Sequence, residues 1–174
     1  MPTIALVNSN TIAPPIAPLG LEYIAEACRE RGMNVQFVDL CFKQDPRAAL
    51  KSHLSPEIDL VGITLRNTDT CLMLNHRSFI EPLREMIQTV RTVTDTPIVV
   101  GGAGFSVAPE AVLKNTGGDY GIIGDGEVAF AQLAESVSQG RQPVDVAGCV
   151  WREGDTFRRN EPHWPDLSDR PGLC

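Results

Sequence analysis

Glycine is the residue type placed most unevenly along this chain: eight of its 15 glycines fall between Gly101 and Gly126. Backbone without Cβ atoms admits a flat or phosphorylated ligand at close range, and it equally makes tight turns between strands and helices. Gly101-Gly102-Ala103-Gly104, followed by Phe105, is the densest run. Gly124-Asp125-Gly126-Glu127-Val128-Ala129 has the G-x-G-x-x-A spacing of a dinucleotide-binding turn, with Asp145 near the usual acidic offset. That turn belongs on the first strand of a nucleotide-binding half, whereas here it follows the last parallel strand, and Asp125 and Glu127 oppose a pyrophosphate. Residues 8–18 form an uncharged segment with three prolines, running from Asn8-Ser9-Asn10 through Ile12 and Pro15. It reads as a plain long loop or as a surface for a large neutral ligand with an apolar face and amide edges.

Residue types exclude several other chemistries. No G-x-x-x-x-G-K-[ST] phosphate loop occurs, and the loop positions where a receiver domain carries aspartates hold Asn8-Ser9-Asn10 and Arg66. His53, His76 and His163 are scattered. The five cysteines (Cys28, Cys41, Cys71, Cys149, Cys174) include no C-x-x-C pair, so neither a zinc site nor a disulfide framework is expected. A net charge of −7 argues against nucleic acid and anionic membrane as partners. No apolar run approaches the ~18 residues of a membrane span, and no basic-then-apolar leader opens the chain. The expected setting is a reduced cytoplasm. With 174 residues, 43% hydrophobic and 21% charged, the chain is one globular domain with a short appendage.

Short apolar runs alternate with helical periods. Strands are predicted at 3–7, 35–40, 60–65, 98–100 and 120–123. Helices are predicted at 19–31, 46–54, 76–93, 107–114 and 127–139, with Gly32 and Gly140 as stops, Asp45 as a cap and Pro109 in a first turn. Strands buried on both faces imply a parallel sheet with helices on each side. The resulting fold class is α/β, a doubly wound five-stranded parallel sheet of flavodoxin-like order 2-1-3-4-5, with ligands expected beyond the strands' carboxyl ends. Residues 1–140 form this domain. Residues 141–174 are read as a hairpin (146–151 and 156–159, turning at Gly154) and a linker.

Four segments carry a family resemblance. Pro14-Pro15 through Pro18-Leu19-Gly20-Leu21-Glu22-Tyr23-Ile24-Ala25 looks like a P-P-x-G-L-x-Y-L-A lead into the first helix, and Gly62-Ile63-Thr64-Leu65-Arg66-Asn67 like a third-strand exit. Val99-Val100-Gly101-Gly102-Ala103-Gly104-Phe105-Ser106 looks like a V-G-G-x-x-x-S turn, and Ile123-Gly124-Asp125-Gly126-Glu127 like a G-E-G-E turn with Asp125 replacing glutamate. Jointly and in order they resemble the Rossmann-like cobalamin (vitamin B12)-binding domain that precedes the catalytic barrel in cobalamin-dependent radical S-adenosylmethionine enzymes. The tail WPDLSDRPGL is similar to the segment that leads into that barrel.

The resemblance implies cobalamin with its nucleotide tail between sheet and helices and its corrin across the strand ends. Cofactor contacts are then expected from Asn8, Ser9, Asn10, Ile12, Pro15, Leu19, Gly20, Thr64, Leu65, Arg66, Asn67, Thr68, Gly101, Gly102, Ala103, Gly104, Phe105, Gly124, Asp125, Gly126 and Glu127. No catalytic residue and no protein metal ligand is expected. Related methyltransferases and mutases place D-x-H-x-x-G after the first strand, the histidine being the lower cobalt ligand. This chain has Asn8-Ser9-Asn10-Thr11-Ile12 there, so binding is expected to be base-off and histidine-off, which favours a reduced, nucleophilic cobalt. Lower-face candidates lie in loops 8–12 and 66–70. No C-x-x-x-C-x-x-C motif occurs, so S-adenosylmethionine and a 4Fe–4S cluster are expected only in a separate barrel domain, in cis or in trans. The chain thus reads as the cofactor module of a methyltransferase or cyclase. A stand-alone cobalamin carrier or sensor, or a nicotinamide- or flavin-binding α/β domain, are the alternatives. A bulky residue at Gly102 is expected to abolish cobalamin binding without unfolding the domain.

Overall fold

The computed structural model describes residues 1–12, 15–70 and 73–164. In chain order the elements are β1 (Thr3–Asn8), α1 (Leu19–Glu30), β2 (Asn34–Asp39), α2 (Pro46–His53), β3 (Leu60–Thr64), α3 (Ile80–Arg91) and β4 (Ile98–Gly101). There follow α4 (Ala103–Val107), α5 (Pro109–Thr116), β5 (Tyr120–Ile122), α6 (Glu127–Ser138), β6 (Cys149–Glu153) and β7 (Thr156–Arg159). The first five strands pair in parallel in the order 2-1-3-4-5, as the alternation of strands and helices predicts.

Successive residues of each strand feed two cores. Ala5, Val7, Val61, Ile63, Ile98 and Val100 face the side covered by α2, α3 and α5. Ile4, Leu6, Leu60 and Val99 face the side where α1 packs on α6. Period-two alternation between two apolar faces is what makes these strands nearly continuous hydrophobic runs. The helix ends follow local chemistry. Asp45 accepts a hydrogen bond from the Ala48 backbone N–H at 3.0 Å, and Gly32 and Gly140 stop their helices with φ of 77° and 67°.

Three expectations change. The helix predicted from residue 76 begins at Ile80, because the Phe79 N–H donates to the Thr68 carbonyl (2.9 Å) and Thr70 N–H to the Arg77 carbonyl (3.0 Å), pairing 68–70 with 77–79. The glycine turn after β4 continues directly into α4, and a break at Ala108 (φ −148°) separates α4 from α5. Pro109 disfavours helical geometry in the residue before it, so the helix predicted at 107–114 runs over Pro109–Thr116 with Pro109 in its first turn, and α4 is a further helix. The hairpin is no free appendage. β6 pairs antiparallel with β5, Tyr120 opposite Trp151, and the sheet grows to seven strands in the order 2-1-3-4-5-6-7. Cys149 and Trp151 join the α1/α6 core and Val150 the other, so the first three residues of β6 are buried on both faces while Arg152 and Glu153 are exposed. Among the described residues, no helix is long and apolar enough to cross a membrane.

Candidate functional site: a cavity at the strand ends

The strand register lines up two rows on the α1/α6 face. The inner row is Leu6–Gly62–Val99, and one pleat further toward the carboxyl ends lies Asn8–Thr64–Gly101. The inner row is apolar, with Gly62 admitting the Phe130 ring: a Cβ there would lie 2.7 Å from Phe130 Cε2. The outer row is polar or lacks a side chain. Over these rows, under the first turns of α1 and α6, opens a cavity of about 780 Å³. Gly62, Val99, Ile122 and Phe130 border its depth, while Ile16, Leu19, Ile24, Asp125 and Trp164 border it from the loops and helices.

Hydrogen bonds hold the rim. The Asn8 side chain donates to Asp39 at 2.9 Å and accepts from the Asn10 N–H at 3.2 Å, and the Asn10 side-chain Oδ1 accepts from the Ile12 N–H at 3.3 Å. These successive Asx turns give the uncharged first loop a defined path. Asn8 is buried and its amide is committed to that scaffold. Ser106 joins the two glycine turns: its hydroxyl donates to the Gly102 carbonyl at 3.2 Å and accepts from the Gly124 N–H at 3.0 Å. Glu127 is buried in the first turn of α6, where the helix dipole favours an acidic group. Together with Asp125 it makes this helix start unsuited to a pyrophosphate.

Of the predicted contact residues, the structure gathers Asn8, Asn10, Leu19, Gly20, Thr64, Arg66, Gly101, Gly102, Ala103, Gly124, Asp125, Gly126 and Glu127 around the cavity. The other eight do not border it. Leu65 and Phe105 are buried in the opposite core, because each follows a residue that faces the cavity side or the turn. Gly104 lies against the backbone of Asn67, whose Cα would stand 2.9 Å from an added Cβ, so that glycine serves loop packing. The Ser9 hydroxyl donates to the Thr64 carbonyl, and Thr68 bonds to Asp69 at 3.3 Å. Ile12 is tied into the first-loop turns and Pro15 is exposed.

Gly102 also differs from expectation. Its φ is 99°, and a Cβ would sit 2.7 Å from Thr64 Oγ1 and 2.8 Å from the Leu65 carbonyl, so substitution there strains the protein itself. Gly101 is the open position: only the Ile122 carbonyl, at 3.9 Å, comes within 4 Å of its added Cβ.

Residue-by-residue reading missed the first turns of α1 (Pro18, Leu21, Tyr23, Ile24), the inner positions Gly62, Val99 and Ile122, and Ser106, Phe130 and Trp164. Strand alternation, followed one pleat inward from Thr64 and Gly101, carries the signal for Gly62 and Val99. No histidine or cysteine borders the cavity among the described residues. Burial pushes the Cys28 and Cys149 thiols up to about 12, so neither is a nucleophile at neutral pH. Cys71, Cys174, Ala13 and Pro14 lie outside the described residues. An apolar depth with amide and hydroxyl groups at its rim suits a large, mostly neutral ligand that carries hydrogen-bonding edges.

Comparison with known proteins agrees with that geometry. A tryptophan 2-C-methyltransferase of Streptomyces laurentii is 40% identical over 156 residues, which are 87% of this chain and 26% of that protein. The structure of the radical S-adenosylmethionine methyltransferase TsrM from Kitasatospora setae, with cobalamin and a 4Fe–4S cluster bound, aligns with TM-score 0.85 and 36% identity over 92% of this chain and 31% of its own. The cobalamin-dependent S-adenosylmethionine radical enzyme OxsB shares the fold, with TM-score 0.75 and 16% identity over 97% of this chain and 23% of its own. The chain therefore spans less than a third of each of these relatives. A model of the B12 binding domain matches residues 5–134, and the chain belongs to that family.

Proposed function

We propose that this chain is the cobalamin-binding module of a radical S-adenosylmethionine enzyme of the methyltransferase class, and that it holds the cofactor base-off with no histidine beneath the cobalt. One observation carries the reading: the cavity continues from the polar strand-end row Asn8–Thr64–Gly101 into an apolar depth between the sheet and helices α1 and α6. Gly101, whose added Cβ meets only the Ile122 carbonyl at 3.9 Å, is the cradle position for the corrin edge. Asn10, Thr64 and Ser106 are placed to hydrogen-bond side-chain amides, and Gly62, Val99, Ile122 and Phe130 to pack along the nucleotide tail. Bound there, the cofactor supplies a cobalt centre for carrying a methyl group from S-adenosylmethionine.

The chain's own part is to seat, orient and dehydrate that centre. Of the two lower-face loops, Asn8, Asn10 and Arg66 reach the cavity, and neither amide nor guanidinium is a strong cobalt donor. S-adenosylmethionine and the iron–sulfur cluster belong to a separate radical domain acting with this one, consistent with the chain's small share of its relatives' length. The buried, unpaired thiols Cys28 and Cys149 accord with a reduced cytoplasm.

Hydroxocobalamin mixed with the protein and then desalted is expected to remain bound at about one equivalent, read from the visible spectrum. Colourless protein that NAD or a flavin instead stabilises against heat would overturn the proposal.

A further inference from the structure

After β7 the chain turns back toward the cavity and is fastened there. The Asn160 side chain donates to the carbonyls of Pro143 (2.8 Å) and Val146 (2.7 Å), and its backbone N–H to the Cys149 carbonyl at 2.9 Å. The Gly148 N–H donates to the Glu161 carbonyl at 3.0 Å. This anchor delivers Trp164, whose six-membered ring lies against Gly124: an added Cβ there would stand 2.9 Å from Cζ3 and 3.0 Å from Cη2. Gly124 has φ 81° and its N–H is held by Ser106, so the seat is rigid and glycine-specific. Trp164 borders the cavity yet is 64% exposed. A large apolar ring held this way leaves much of its surface bare at the mouth of an apolar site.

We propose that Trp164 is a wall of the ligand site, packing its free indole surface against the bound cofactor and thereby making the segment that leaves the domain part of the binding surface. The inference rests on the cobalamin reading above and adds to it a contact residue outside the α/β core. It also gives Gly124 a purpose beyond turning the chain, since any side chain there displaces the indole.

The test uses the chain's two tryptophans. Trp151 is 8% exposed and acts as the internal reference. The protein, with and without hydroxocobalamin, is treated with 2-hydroxy-5-nitrobenzyl bromide, and labelling of each tryptophan is read by mass spectrometry. Trp164 is expected to label readily in free protein and to be shielded in loaded protein. W164A is expected to release cobalamin about three- to tenfold more readily with an unchanged circular-dichroism spectrum, and W164F to retain most of the affinity. Equal labelling of Trp164 in free and loaded protein, or W164A binding as tightly as the unsubstituted chain, overturns the inference and leaves the cofactor reading standing. An unsubstituted protein that retains no cobalamin overturns both.

Discussion

Gly101→Leu is expected to lower cobalamin retention by at least about a hundredfold while shifting thermal unfolding by no more than a few degrees. Gly101 ends β4 on the same face as Val99, because side chains alternate along a strand, and Val99 belongs to the α1/α6 core bordering the cavity. Its φ lies outside the left-handed region, and its added Cβ meets nothing nearer than 3.9 Å. A leucine there therefore fits the backbone and projects into the cavity proposed for the cofactor. The Leu65 N–H to Gly101 carbonyl bond, 2.7 Å, involves main chain alone and survives the change. Equilibrium titration with hydroxocobalamin, alongside a melting curve, checks both halves. Undiminished affinity would place the corrin elsewhere. Gly102→Ala is the poorer probe, since φ 99° and contacts to Thr64 and Leu65 make it a stability mutation.

Gly121→Ala is expected to have the opposite profile and to damage the fold. Gly121 sits in the middle of β5, between Val100 and Val150, and its added Cβ would fall 1.9 Å from Phe105 Cζ. Phe105 is 0% exposed and among the largest fully buried side chains, so its ring has no open direction. Overpacking of this kind is expected to cost about 3 kcal/mol or more, lowering the melting temperature by roughly 10 °C. Pairing it with Phe105→Leu relieves the collision, so the double variant should unfold at higher denaturant than Gly121→Ala alone. A Gly121→Ala protein as stable as the parent would contradict the packing of α4 on β5. The glycines of this region thus divide into one that faces space in the cavity, Gly101, and others, such as Gly104 and Gly121, that leave room for protein.

That division explains how far the site could be read from sequence. The five parallel strands were legible because burial on both faces writes continuous apolar runs such as Leu60–Thr64, and the helices because Leu83, Ile87 and Val90 repeat on one face. The strand ends were legible as the place of a cavity from topology alone. Adjacency in sequence misled wherever it crossed the pleat: Leu65 follows Thr64 but faces the other core, and Phe105 fills the protein beneath the glycine turn. The α1 residue Ile24 looks like an ordinary core position in a helical period, and only its packing against Gly126 at the α6 start brings it to the cavity. β6 was read only as one strand of a hairpin because its pairing with β5 is a tertiary fact. Trp164 had no local signal; its place depends on the Asn160 anchor and on Gly124, 40 residues earlier.

Electron paramagnetic resonance of the protein loaded with cobalamin in its cobalt(II) form tests the central claim most directly, because the unpaired electron reports the nitrogen beneath the metal. The account predicts cobalt hyperfine lines without the three-fold nitrogen splitting, since among the described residues the cavity offers Asn10, Thr64 and Arg66 but no histidine. Three-fold splitting of each line, from a histidine or from the cofactor's own base, would contradict it.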